Sequence, residues 1–263
     1  VLEGENEAAS KVNDRLLLCA CGSACAMPIS RELIVCSAPS SCVCVHSSFS
    51  PKPLSRVSRW RALEAAYASR GYAGAGPPWS AVLRTGSLPL LWSAPHAVRH
   101  MRHGRVKRAE RGTGGLAELL ALETGAIAVC AAGHVGNWEI WKEREDAFAA
   151  SLRSFSQGRL VIDLHGMTDH HQADLCIGLG PSPSLLSRSF AALLLYRFSA
   201  AKVLVNAPFD ATPAYTVTSF VQQHLHGDAL QLEIRAGWRE LDELCTWVRG
   251  LVDVAENWQG EHY

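Results

Sequence analysis

The chain has 263 residues, of which 48% are hydrophobic and 19% charged, enough for one large domain with a buried core. Its 25 Lys+Arg balance 25 Asp+Glu, which argues against a protein whose main task is coating nucleic acid. No apolar run approaches the ~18–20 residues that cross a bilayer, so no membrane role is expected.

In chain order, residues 1–52 are read as a poorly ordered extension rich in Ser and Cys. Six of the nine cysteines fall between Cys19 and Cys44, but their spacing misses the paired CxxC of a zinc ribbon. The apolar stretch at 16–20 is too short for a secretory signal, and the expected compartment is the cytoplasm, with reduced thiols. Residues 53–263 are read as a single α/β domain. A short helix is expected over 59–69, ended by Gly71 and the turn-rich GYAGAGPP. Strands at 88–94, 126–132, 160–164, 175–179, 202–206 and 229–234 follow. They alternate with helices at 113–124, 145–155, 184–198, 215–224 and 240–256. Thr113 is the expected N-cap, and Gly125 the expected stop, of the helix at 113–124. The alternation predicts a largely parallel sheet covered by helices on both faces.

In sheets of this kind functional groups gather outside the carboxyl ends of the strands. Three strand ends carry unusual polar residues: Ser93-Ala94-Pro95-His96, Ile162-Asp163-Leu164-His165-Gly166 and Gln231-Leu232-Glu233-Ile234. Each histidine taken singly has a plain alternative as a hydrogen-bonded structural residue. Two of them together with Glu233 favour a site, because an ionised carboxylate between Leu232 and Ile234 is costly without a partner. Asp163 and His165 are two apart and so face the same side of an extended strand. A carboxylate in that position orients a metal-binding imidazole. Glu110 precedes the helix at 113–124, where its carboxylate either turns inward to a metal or stays in solvent. The basic run 99–111 has no interleaved aromatics, so nucleic acid is not an expected partner. Gly112-Thr113-Gly114-Gly115 gives a weak phosphate-cradle signal that lacks the Lys-Ser/Thr ending of a P-loop. No G-x-S-x-G nucleophile elbow occurs, which removes the usual serine-hydrolase route.

The ordered series Ser93-Ala-Pro-His96-Ala-Val-Arg-His100, Glu110-Arg-Gly-Thr113, Val161-Ile-Asp163-Leu-His165-Gly and Leu230-Gln-Leu-Glu233-Ile resembles the N-formylglutamate amidohydrolase family. The resemblance spans roughly residues 53–239. It implies a single α/β domain with a mixed, mostly parallel sheet between helices, like phosphorylase/hydrolase folds, zinc carboxypeptidases and aspartoacylases. It also implies hydrolysis of an N-acyl or N-formyl amide on a small amino-acid-like substrate. Both lines of reasoning place one Zn2+ ion on His96, Glu110 and His165, with Asp163 behind His165 and Glu233 as the proton-transferring base. An arginine, one of Arg144, Arg235 or Arg239, is expected to pair the substrate carboxylate, with Asn137 as a polar helper. His134, His170 and His171 are alternative ligands should Glu110 point outward. The competing readings are a non-catalytic metal- or ligand-binding module on the same fold and a carboxypeptidase-like peptidase.

Overall fold

Strands buried on both faces read as continuous apolar runs, and such runs supply the centre of this protein. The computed structural model describes residues 55–74, 81–133, 135–137, 147–239 and 241–262. The readings of residues 1–52, His134 and Arg144 lie outside the described residues. In the first half of the chain are α1 (Arg56–Ala68), β1 (Ala81–Arg84), β2 (Leu90–Ala94), β3 (His100–Arg102), β4 (Arg105–Lys107), α2 (Thr113–Thr124), β5 (Ile127–Ala131) and β6 (Val135–Asn137). The second half supplies α3 (Ala147–Phe155), β7 (Leu160–Met167), β8 (Leu175–Gly178), α4 (Leu185–Arg197), β9 (Val203–Val205), α5 (Val217–His224), β10 (Asp228–Arg235) and α6 (Leu241–His262).

Among the described residues, seven strands form one sheet in the order β1-β5-β2-β7-β10-β8-β9. β5, β2, β7 and β10 run parallel to one another. β1 is antiparallel to β5, and β8 to β10, while β9 follows β8 in parallel. The sheet is therefore mixed and mostly parallel. Helices α2, α4 and α6 pack together along it, and α3 and α5 pack against its strands separately, joined where Arg153 lies over the Phe220 ring. Trp92 of β2, Phe190 of α4 and Trp258 of α6 meet edge to face at 6.4 and 6.0 Å, an arrangement worth about 0.5–1.5 kcal/mol per pair beyond burial. No helix among the described residues is long and apolar enough to cross a membrane.

Beside the main sheet, β4, β3 and β6 form a small one, of which β3 and β4 lie within the basic run 99–111. His103 (φ +50°) and Gly104 (φ +67°) make the left-handed two-residue turn that a tight hairpin needs, and it joins β3 to β4.

The helix caps follow local chemistry, with one exception. Ser184 accepts the Ser187 N–H and Thr216 accepts the Ser219 N–H, while Gly125, at φ +68°, stops α2. Thr113 is not the N-cap of α2. Gly112 holds that position at φ +89°, and Thr113 donates its hydroxyl to the Glu110 carbonyl at 2.7 Å. The cap comes instead from α1. Glu64 accepts the Gly112 N–H at 2.7 Å, the Gly115 N–H at 2.9 Å and the Tyr72 hydroxyl at 2.9 Å. A Cβ on Gly115 would lie 2.8 Å from Glu64 Oε2, so the glycine makes room for the carboxylate. The suspected phosphate cradle is thus filled by the chain's own anion, where the helix N-terminus favours one. Glu64→Ala strands those buried donors and is expected to cost about 2–4 kcal/mol, a fall in Tm of roughly 5–10 °C by thermal melting. Glu64→Gln keeps one acceptor and should recover part of the loss. Equal melting of Glu64→Ala and the native chain would show that the cap carries no weight.

Candidate metal centre

Residues in register on neighbouring strands point to the same face of a sheet. Ser93 of β2 pairs with Asp163 of β7, Asp163 with Gln231 of β10 and, one step on, His165 with Glu233. These five residues form two polar rungs across strands that are otherwise apolar, and all five are buried. Asp163 Oδ2 lies 2.9 Å from His165 Nε2, and Ser93 Oγ donates to Asp163 Oδ1 at 3.1 Å. Both carboxylate oxygens are engaged, and the His165 ring is held with Nδ1 towards Glu110. β7 runs on to Met167, so His165 stands inside the strand rather than beyond its end.

His96 lies in the turn leaving β2, and the Glu110 N–H donates to its carbonyl at 2.9 Å. That bond seats the segment entering α2 over the strand ends. The Glu110 carboxylate turns inward, Oε1 lying 2.8 Å from His96 Nδ1. Its Oε2 lies 3.1 Å from His165 Nδ1 and accepts the Gly166 N–H at 2.9 Å. One ligand atom each from His96, Glu110 and His165 comes within 4.8 Å of the others. His100 stacks on His96 with ring centroids 4.1 Å apart and planes 5° from parallel.

The charges sort themselves by surroundings. Burial acts to raise the Glu110 carboxyl, but His96 and His165 outweigh it and hold it well below the usual carboxylate range. Burial lowers His96 in spite of Glu110, and pushes the His100 ring down to about 2. It also acts to lower His165, yet Asp163 and Glu110 prevail and raise that ring well above its ordinary value. Glu233 behaves unlike Glu110. Burial lifts it to about 7 against the pull of His165, and Gln231 Nε2 donates to its Oε1 at 2.9 Å. Two imidazoles and an ionised carboxylate converging on one point are a donor set that fits a zinc-type divalent cation.

No family model and no curated protein sequence matches the chain. Several solved structures are similar to it. A bacteriophage poly-gamma-glutamate hydrolase is 14% identical, aligned over 74% of this chain and 96% of its own, with a TM-score of 0.49. The N-formylglutamate amidohydrolase of Ralstonia eutropha is 14% identical over 70% of this chain and 98% of its own, with a TM-score of 0.45. The succinylglutamate desuccinylase of Chromobacterium violaceum is 16% identical over 76% of this chain and 74% of its own, with a TM-score of 0.42. The similar structures thus include a member of the family that the sequence motifs resemble.

Of the two described arginines singled out for a substrate carboxylate, Arg239 is brought beside the cluster and Arg235 is not. Arg239 donates to the carbonyls of Ile234 (3.2 Å), Met167 (3.3 Å) and Arg111. A Cβ on Gly166 would lie 2.4 Å from its guanidinium carbon, so the glycine after His165 lets the cation lie across β7. Arg235 turns away, facing Asp174 at 3.4 Å and Glu243 at 3.8 Å and lying over the Trp238 ring. Asn137 ends β6, and Arg144 is outside the described residues. His170 and His171 lie side by side in the turn at Asp169–His171, their ring centroids 4.1 Å apart and their planes tilted by 39°, and no atom of theirs joins the cluster.

Gln231 and His100 stand in the sequence motifs without an assigned role, and Arg102 stands in none of them. Gln231 carries the same signal as Asp163, a polar residue two before a site residue on one strand. Arg102 lies 5.0 Å over the Tyr215 ring, and its charge bears on both His96 and His100.

Proposed function

We propose that this chain is a zinc-dependent hydrolase that cleaves the N-acyl or N-formyl amide bond of an acidic, amino-acid-like substrate. The observation that carries the reading is the convergence of His96, Glu110 and His165, with Glu233 in register beside His165. His96, Glu110 and His165 would hold the ion, and Asp163 fixes the ring of His165 by its hydrogen bond. When bound there, zinc supplies Lewis acidity, polarising an amide carbonyl and lowering the pKa of water towards ~7. Glu233, raised to about 7, takes a proton from water and returns it to the leaving amine. Gln231 fixes one Glu233 oxygen and leaves the other for that exchange. Arg102 and Arg239 supply positive charge at the rim for a substrate carboxylate.

The test is elemental analysis of the purified full chain, followed by hydrolysis of N-formyl-, N-acetyl- and N-succinyl-glutamate and of dipeptides. One zinc per chain, with turnover of an N-acyl glutamate that a chelator abolishes, is the expected outcome. Zinc with no turnover of any substrate would mark a binding module, and cleavage of dipeptides alone a carboxypeptidase.

A further inference from the structure

A cavity of about 700 Å³ borders the β3–β4 hairpin, with Tyr72, Arg99, Val106, Arg108, Ala109 and Arg111 in its lining. Among the described residues, no acidic one lines it. Arg99, Arg108 and Arg111 form no ion pair with a described carboxylate, whereas Arg56, Arg59, Arg84, Arg197 and Arg235 each do. The wall is nonetheless built. The Arg99 N–H donates to the Tyr72 carbonyl at 2.8 Å, and the Arg111 guanidinium lies 5.5 Å over the Tyr72 ring. The three arginines are exposed, while the adjacent His100 and Glu110 turn inward to the metal centre. The cavity is thus distinct from that centre although both are carried by one stretch of chain.

Three guanidiniums gathered on one concavity repel one another unless an anion lies between them. The volume falls within the ~300–1,000 Å³ of small-molecule sites, and Tyr72, Val106 and Ala109 offer apolar surface beside the charges. We infer that this cavity binds a small molecule bearing two or more anionic groups, its oxygens held by Arg99, Arg108 and Arg111. A polycarboxylate and a phosphate ester share that chemistry. A bounded concavity on a chain of net charge +0 suits such a ligand better than a nucleic-acid strand. The inference stands on the arginines and is independent of the hydrolase reading.

Calorimetric titration of the full chain with tricarballylate and with inorganic phosphate tests it, with acetate as the monoanionic control. Binding of at least one multiply charged probe tenfold or more tighter than acetate is expected, and the tighter probe identifies the oxyanion. The double variant Arg99→Gln/Arg108→Gln should lose that binding tenfold or more with its zinc content unchanged, while Arg61→Gln/Arg70→Gln should bind as the native chain does. Binding should also survive removal of metal by a chelator. Absence of binding, equal loss in both double variants, or loss on chelation would overturn the inference. So would a single-stranded oligonucleotide that binds more tightly than either probe.

Discussion

Glu233→Gln is expected to lower turnover by about 10²–10⁴-fold while leaving zinc content unchanged. The amide keeps the shape of the side chain and an oxygen able to accept the Gln231 Nε2–H, so the rung across β7 and β10 persists. What it loses is the capacity to accept a proton. Folding should not suffer. Burial raises the native carboxyl from 4.5 to about 7, so the folded state holds that proton more tightly than the unfolded chain does. In the metal-free protein, this contribution is fully present below pH 4.5 and is lost as pH rises towards 7. The native chain should therefore lose roughly 3 kcal/mol relative to Glu233→Gln across that window, measured by denaturant unfolding at several pH values. In the zinc-loaded enzyme the cation draws the Glu233 value down, so the rising limb of kcat/KM against pH should fall between 4.5 and about 7. That limb should vanish in the variant. Full activity in Glu233→Gln would remove the residue from the chemistry, and loss of zinc would make it a ligand instead.

The polar rungs were legible because strand periodicity is short and strict. Asp163 with His165, and Gln231 with Glu233, interrupt apolar runs at alternate positions, and a two-residue period forces each pair onto one face. The parallel core was legible for a related reason: apart from those rungs and the two end residues of β10, the doubly buried strands are apolar. Direction at the sheet edge was less visible, although the link from β7 to β8, residues 168–174, is too short for the crossover that a parallel neighbour needs. β10 enters between β7 and β8 and pairs antiparallel with β8. The hairpin of β3 and β4 was hidden by its charge, since two strands of three residues each, β4 exposed throughout, offer no apolar run. Glu64 was invisible for a different reason. It lies 48 residues from Gly112, and nothing local to α1 marks one glutamate as the cap of another helix. His96, Glu110 and His165 were named from strand-end position and motif order. Their hydrogen bonds come from the fold, through the Glu110 N–H on His96 and the Gly166 N–H on Glu110.

His165→Ala is expected to abolish stoichiometric zinc binding, and His96→Ala to do the same, because either leaves two protein ligands where an open catalytic site needs three. The two losses should differ in their structural cost. His165 is wedged between Asp163 at 2.9 Å and Glu110 at 3.1 Å, so its removal takes one partner from each of two carboxylates. His96 lies 2.8 Å from Glu110 and rests against the His100 ring, and its removal leaves the pair of Asp163 and His165 in place, so it should lower Tm less. Asp163→Asn separates orientation from ligation. The amide fills the same space and can still accept the Ser93 hydroxyl, but it no longer places a negative charge behind the imidazole. Zinc should then bind about 10–100-fold more weakly without being lost, the usual effect of removing such a partner. Glu110→Gln should weaken zinc more than Asp163→Asn does, since a neutral amide is a poor ligand for a dication. Competition with a chromophoric chelator ranks the variants directly. Native zinc affinity in Glu110→Gln, or in either histidine variant, would strike that residue from the metal centre. The reverse order, Asp163→Asn worse than Glu110→Gln, would make Asp163 the ligand and Glu110 its support.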